Sequence, residues 1–400
     1  MKKISVLMAT VFVDMLGFAI IFPLLPYYAL RLDADPWMIG WIIASFSIAQ
    51  LAAAPLWGRF SDHYGRRPAL LIGLTASAIA YVVFGLATSL WMLFLSRVVQ
   101  GVGGGTTGVA QAYIGDAFEP KDRAKALGWL SAATSAGVMI GPAIGSLSIG
   151  LGYAAPGLIA ATLCITNIAF AWRWLPESYP GKKRTADGAQ DTMPTRKIRA
   201  VMWEVLSRPY KRLPRLIWIY TVGMLGFMSM AAVLALYLDA RFGITEKTIG
   251  LFFLYIGALS VIMRAVVLGR LVDRFGETKV MRFGTVSLAL GLALSPLQGS
   301  AVAFAAVSSL VPIGTACLFP SVSALVTRLA PKSELGQVLG VQQSFGGVAR
   351  VFAPIWATAV FQGIGIATPF FVSAAVVGLV TFLALGVPIK VEPAGAVEAA

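Results

Sequence analysis

The sequence is short of what a soluble enzyme uses. Charged residues are 12% of its 400 residues, against about 25% in soluble globular chains, too few to cover a surface of that size. There is one histidine, His63, and there are two cysteines, Cys164 and Cys317, each alone in an apolar stretch. With no CxxC and no His/Cys cluster, a zinc site or a disulfide framework is not indicated. No P-loop is present, which argues against ATP coupling. One G-x-G-x-x-G run, Gly103-Gly104-Gly105-Thr106-Thr107-Gly108, lies inside an apolar run rather than between a strand and a helix. It fails the context test of a dinucleotide fingerprint and reads as close packing or a hinge. No nucleophile–base pair and no metal cluster stands out, so the sequence points to no enzyme activity, no metal and no cofactor.

What is present is apolar surface: 58% of the residues are hydrophobic. Apolar runs near or above 18 residues recur from end to end, so lipid is the solvent for most of the chain. In lipid the backbone must satisfy its own polar groups, which leaves helices or a closed barrel. The runs are too long and too continuous for barrel strands of about ten alternating residues. The expected fold is an all-α membrane protein with twelve transmembrane helices, near 4–30, 38–58, 69–88, 91–116, 125–149 and 153–175, then 215–238, 247–269, 278–297, 300–328, 335–362 and 366–388. Lys2-Lys3 before an apolar run resembles a signal peptide, but Asp14 interrupts the run and no A-x-A site ends it, so a retained first helix is expected.

The net charge of +14 is distributed by topology. Of the 32 Lys/Arg, 26 fall in connections on one side, three (Arg31, Arg241, Lys247) on the other, and three (Arg97, Arg264, Arg350) inside apolar runs. The positive-inside rule then puts both termini in the cytoplasm, and the basicity marks a membrane protein rather than a nucleic-acid binder.

The chain repeats itself. The loop Gly58-Arg59-Phe60-Ser61-Asp62-His63-Tyr64-Gly65-Arg66-Arg67-Pro68 returns 211 residues later as Gly269-Arg270-Leu271-Val272-Asp273-Arg274-Phe275-Gly276. Ile39-Gly40 returns as Ile249-Gly250 at an offset of 210, and Pro142 as Pro354 at 212. Two parallel six-helix repeats imply a pseudo-two-fold axis along the membrane normal. The expected domains are a six-helix bundle over 1–175, a cytoplasmic linker over 176–214, a second bundle over 215–390 and a tail over 391–400. Within the linker, Ile198, Val201, Met202, Val205 and Leu206 recur at helical spacing among basic residues, which fits a helix on the membrane surface or an ordinary connector helix.

Gly58-x-x-x-Asp62-x-x-Gly65-Arg66-Arg67 resembles the loop 2–3 signature of the major facilitator superfamily. Gly137-x-x-x-Gly141-Pro142-x-x-Gly145 resembles its antiporter motif, with Ser146 where another glycine often stands. Arg97, in Ser96-Arg97-Val98-Val99-Gln100-Gly101, resembles the helix 4 motif associated with proton transfer. The run from Asp14-Met15-Leu16-Gly17-Phe18 to Pro23-Leu24-Leu25-Pro26 is similar to the drug:proton antiporter branch that includes the tetracycline exporters. The resemblance implies that Asp62, Arg66 and Asp116, with Arg67 beside them, form a charge relay holding the cytoplasmic side shut. The plainer reading is that these charges only fix topology. The second copy keeps Asp273 but has Glu277 and Thr278 in place of the arginine pair, which predicts a weaker latch.

Residue chemistry sets the remaining expectations. An ionised acid at the depth of Asp14 costs about 2.5–3.5 kcal/mol, so Asp14 needs a cavity, a partner or a proton. It is the first choice for a proton-titrating or substrate-contacting group, with Phe18 one turn on; a structural acid is the alternative. Arg97 does not deprotonate and acts only by electrostatics, or else it snorkels to the surface. Arg350 sits mid-helix and faces the cavity, whereas Arg264 is placed near the cytoplasmic end of helix 8 and reads as snorkelling. Gly58 and Gly65 allow close backbone approach, and Gly137, Gly141, Pro142 and Gly145 a tight crossing and bend, with or without bearing on transport direction. Gln50, Gln111, Asn167, Gln342 and Gln343 are candidate cavity lining, or helix-to-helix glue.

The chain departs from the tetracycline exporters where some of them carry acids in helices 3 and 9 and a helix 8 histidine: Ala80, Leu288 and Ser260 stand there. Proton coupling therefore concentrates on Asp14 and Arg97, with Asp116 as a further candidate, and the excess of interior arginine favours an anionic or zwitterionic substrate. The expected function is a monomeric, proton-coupled antiporter in a bacterial inner membrane, exporting a small amphipathic drug-like compound by alternating access. The alternatives are a uniporter or symporter for an endogenous metabolite, and a non-transporting receptor or assembly factor.

Overall fold

The computed structural model describes residues 2–179, 198–331 and 334–387, and no strand occurs among them. The expected tail at 391–400 and the first part of the linker beyond Tyr179 lie outside the described residues. The helices are α1 (Lys2–Ile21), α2 (Leu25–Arg31), α3 (Pro36–Tyr64), α4 (Arg66–Gly85), α5 (Leu90–Gly103), α6 (Thr106–Ala117), α7 (Pro120–Ser148), α8 (Ala155–Trp174), α9 (Ile198–Ser207), α10 (Arg212–Phe242), α11 (Ile249–Ile262), α12 (Leu268–Phe275), α13 (Glu277–Leu294), α14 (Ala301–Ser308), α15 (Leu310–Leu329), α16 (Leu335–Gly363) and α17 (Thr368–Leu385). Met263–Val267, between α11 and α12, is one turn of π-helix.

Local chemistry explains the boundaries. Pro36 opens α3 after an extended Asp35, and the helix stops at Gly65, whose φ of 105° suits a residue without a side chain. Ser89 caps α5 by accepting the Met92 N–H, and Ser300 caps α14 by accepting that of Ala303. Among the described residues, eleven helical stretches are long and apolar enough to cross a membrane. The helix expected at 91–116 is instead the pair α5 and α6, broken at Gly104–Gly105, so neither piece alone meets that length.

The described residues divide into two compact units: 2–179 with 235–261, and 198–234 with 262–387. In the first, α1 crosses α7 along a stripe of glycines. A Cβ on Gly137 would stand 2.6 Å from the Phe12 carbonyl oxygen, and one on Gly141 2.6 Å from the Ala19 Cβ; one on Gly145 would strike the Ile20 carbonyl. Only a bare backbone allows this approach, which supplies dispersion contact where lipid removes the hydrophobic drive. A second device appears in both units. Gly73 of α4 meets Gly103 of α5, and Gly284 of α13 meets Gly314 of α15, each pair backbone to backbone. Both members shift by 211 residues, so the repeat read from the loops extends into helix packing. In the second unit α9 packs on α16, burying Val201 and Val205, while Ile198, Met202, Trp203 and Leu206 stay exposed.

Candidate functional site

The interior acid of the first unit sits at the broken helix. Asp14 is 5% exposed, and its Oδ2 accepts a 2.9 Å hydrogen bond from the hydroxyl of Thr106, the first residue of α6. The break at Gly104–Gly105 brings that hydroxyl to α1. It also frees the Gly104 carbonyl, which accepts from Gln50 Nε2 at 3.0 Å. Close packing at the glycine run is what the structure shows: a Cβ on Gly103 would lie 2.6 Å from the Ala76 Cβ, and one on Gly105 would strike Trp57.

Asp14, Phe18, Phe46, Gln50, Tyr81, Gln100 and Thr106 border a cavity of about 40 Å³, room for water but far below the few hundred Å³ of a drug-sized site. Phe18 stacks on Phe22 and tilts against Phe46 along this wall. Gln100 Nε2 donates to the Tyr81 hydroxyl at 3.0 Å, and Tyr81 lies within electrostatic reach of both Asp14 and Arg97. Tyr81 and Gln100 are site residues that sequence reasoning missed; both read as ordinary interior side chains. Arg97 is 2% exposed, which removes the snorkelling alternative. Its guanidinium carbon stands 5.6 Å from the Phe84 ring centroid, and Nε and Nη2 have no hydrogen-bond partner.

The loop charges do come together. Arg66 Nε donates to Asp116 Oδ2 at 2.7 Å, and Nη1 to Asp62 Oδ1 at 2.7 Å and to Ser61 Oγ at 2.8 Å. One residue of this cluster has no counterpart in the motif. The Glu177 carboxylate accepts the backbone N–H of Arg66 at 2.9 Å and of Arg67 at 3.1 Å, capping the N-terminus of α4. Gly65 leaves room for it, since a Cβ there would meet Glu177 Oε2 at 2.6 Å. The Arg67 guanidinium donates to the Trp172 carbonyl, and Tyr113 Oη to that of Pro176 at 2.7 Å. The segment expected to begin a polar linker at 176 is thus tied to the latch at its first residues. Gly58 departs from expectation: nothing lies within 4 Å of a Cβ built on it, so it mediates no close approach in this structure.

The second copy of the loop carries a bridge too. Arg328 Nη2 stands 2.5 Å from Glu277 Oε1, in the second unit. Ser146, the departure from the glycine motif, makes a bond that glycine could not. Its hydroxyl accepts the Gly250 N–H at 2.9 Å, at the start of α11.

The remaining candidates separate. Gln342 is 1% exposed and donates to Ser323 Oγ at 2.9 Å, and Asn167 donates to the Thr10 carbonyl at 2.8 Å; both join helices. Gln111 is exposed and does not border the cavity. Gln343 hydrogen-bonds Tyr220, which lies within electrostatic reach of Arg350 and Arg264. Arg264 is not near a helix end. The helical stretch that holds it runs on through the π-turn to Phe275, eleven residues further, so the helix outlasts the expected end at 269 and carries the charged residues Arg270, Asp273 and Arg274.

The sequence profile of the Major Facilitator Superfamily matches residues 7–268 and again 241–399. The chain is 29% identical over 364 residues to the class C tetracycline resistance protein of Escherichia coli, with 90% of each chain covered. It is 28% identical over 371 residues to multidrug resistance protein 1 of Bacillus subtilis (strain 168), with 92% of each covered. Among solved structures, the human organic anion transporter MFSD10 superposes with a TM-score of 0.72 at 23% identity, over 96% of this chain and 99% of that one, a likeness of fold. A profile that fits both halves of a chain whose loop sequence and packing glycines also repeat decides the family: this chain is a multi-pass membrane transporter, not an enzyme, and belongs to the Major Facilitator Superfamily.

Proposed function

We propose that the chain is a proton-coupled antiporter that exports a small amphipathic compound, tetracycline-like or of the multidrug type, by alternating access between its two six-helix halves. The observation that carries this is Asp14: 5% exposed, bonded to one hydroxyl, beside a water-sized cavity, with Tyr81 within electrostatic reach of both it and the buried Arg97. A lone carboxylate there costs about 2.5–3.5 kcal/mol when ionised, so taking up a proton relieves it. Arg97 keeps its charge throughout and sets the field in which that proton moves. In the cycle, a proton reaching Asp14 from outside displaces substrate, the Arg66 latch loosens and the cavity opens inward; substrate binding and proton loss reset it. The names of the relatives support a drug-like cargo. The charge asymmetry of the loops and the bacterial relatives support an inner-membrane location with both termini cytoplasmic, and nothing in the mechanism asks for more than a monomer.

The test is proton release from detergent-solubilised protein on adding a drug panel that includes tetracycline, beside Asp14→Asn. Release in the wild type that vanishes in the variant is expected. Drug binding without release, unchanged by the substitution, would overturn the antiport reading in favour of a uniporter.

A further inference from the structure

The second unit holds two arginines at membrane depth and no acid to match them. Arg264 lies near the middle of the span Ile249–Phe275 and Arg350 near the middle of Leu335–Gly363. The acids among the described residues of this unit are Glu204, Asp273, Glu277 and Glu334. Glu204 pairs with Lys211, Glu277 pairs with Arg328, Glu334 sits at the N-cap of α16, and Asp273 is exposed near the end of α12. Among the described residues neither interior arginine has an ion-pair partner. Unlike the sealed Arg97, Arg264 is exposed and Arg350 half-buried, so both guanidinium groups are reachable.

Both lie within electrostatic reach of one tyrosine. Tyr220, from α10, is 6% exposed, and its ring lies on the bare backbone of α16 at Gly346, 2.7 Å from where a Cβ would stand. Gln343, Gly346 and Arg350 share one face of α16 at helical spacing. Gln343 bonds the Tyr220 hydroxyl, and both arginines lie within its electrostatic reach. Arg264 is presented from the π-turn, a distortion that recurs at functional sites.

We propose that Arg264, Arg350 and Tyr220 form a subsite for a carboxylate on an amphipathic ligand. Each guanidinium lies within electrostatic reach of the same tyrosine with no carboxylate among the described residues to balance it, and the forked N–H geometry of arginine fits a carboxylate in two-point contact. The tyrosine supplies a hydroxyl and an aromatic edge for the adjoining apolar body. Arg350 stands near the middle of its span, away from the lipid headgroups at the span ends, which favours an anion carried by the ligand. Only its identification as transported substrate rests on the export reading above; the subsite itself does not.

The experiment measures binding of 1-pyrenebutyrate and its uncharged amide to purified full-length protein in detergent at fixed pH. The wild type is expected to prefer the acid by about tenfold, the worth of a charge-assisted contact. The double variant Arg264→Gln/Arg350→Gln is expected to bind acid and amide equally, and Arg264→Lys/Arg350→Lys to keep part of the preference. The Lys variant retains the charge and guards against a misfolded Gln variant, and all proteins are compared as monodisperse samples. Proton release on ligand addition is read from the same samples, so loss of antiport and loss of the anion subsite are separately visible. Equal binding of acid and amide by the wild type, or a preference that survives removal of both arginines, would overturn the proposal.

Discussion

The two loop bridges share a backbone and invert their charges. Gly65 and Gly276 both adopt positive φ, at 105° and 79°. Arg66 opens α4 as Glu277 opens α13, and Asp116 is the penultimate residue of α6 as Arg328 is of α15. In the first unit the cation is the covered partner, with side-chain exposures of 11% for Arg66 and 27% for Asp116; in the second it is the acid, at 13% for Glu277 against 56% for Arg328. The helix dipole accounts for the unequal support. A carboxylate at a helix N-terminus is favoured there, so Glu277 manages with one partner. A cation at that position is opposed, and Arg66 is held by Asp116, Asp62 and Ser61, while Glu177 supplies to the α4 N-terminus the negative charge that Glu277 supplies to α13 from within. The second copy keeps a bridge between the same helix ends with its sign reversed, although Arg328 stands 212 residues after Asp116, one more than the 211 that separate Arg66 from Glu277. The latch of the second half, expected from Glu277 and Thr278 to be the weaker, is a real bridge with fewer members.

The largest expected effect that tests this contrast is Arg66→Ala. Removing the hub leaves Asp116 and its neighbours without their cation, and thermal unfolding in detergent should show a loss of about 1.5–3 kcal/mol, since both acids keep access to solvent. Glu277→Ala, whose partner is solvated, should cost about 1 kcal/mol or less. Equal losses would dissolve the distinction. Next comes charge exchange. Glu277→Arg with Arg328→Glu should recover most of what either single change loses, because that bridge stands alone. Arg66→Glu with Asp116→Arg should not recover, since Asp62, Ser61 and Glu177 are all arranged around a cation; a double-mutant cycle at each site measures the difference. The smallest effects separate the glycines. Gly65→Ala suffers both positive φ and collision with Glu177, whereas Gly276→Ala suffers only the backbone strain, about 1–2 kcal/mol. Gly58→Ala, in open helix, should be neutral or stabilising by about 0.5–1 kcal/mol. A different rank order in melting temperature would contradict the assignment.

The sequence showed some of this and hid the rest for physical reasons. Long apolar runs must become helices in lipid, so the spans are readable. A lone acid in such a run must be functional or bonded, and Asp14 is bonded and borders a cavity. The glycine run in helix 4 reads as packing or hinge, but its composition does not disclose a helix break that delivers Thr106 to Asp14. Glu177 is invisible in the sequence because an acid in a polar segment has no distinguishing context. Arg328 is hidden because the repeat offset of 211 pairs Asp116 with Thr327, so the cation stands one residue out of register. Arg264 reads as near a helix end because the apolar run fades there, whereas the π-turn carries the helix past that point.

That π-turn also explains an irregularity in the repeat. Ile39-Gly40 and Ile249-Gly250 are 210 residues apart, whereas Gly58 and Gly269, and every loop residue after them, are 211 apart. The second half has gained one residue between those points, where the first half runs as uninterrupted α3 and the second holds Met263–Val267. An extra residue in an α-helix would turn everything beyond it by about 100° and carry Gly276 and Glu277 away from Arg328. Spent on a single wide turn, it leaves the bridge in register. The insertion was absorbed rather than propagated, and the residue that rides on the widened turn is Arg264, a cation where the corresponding stretch of the first half, Ala52-Ala53-Ala54, has only alanine.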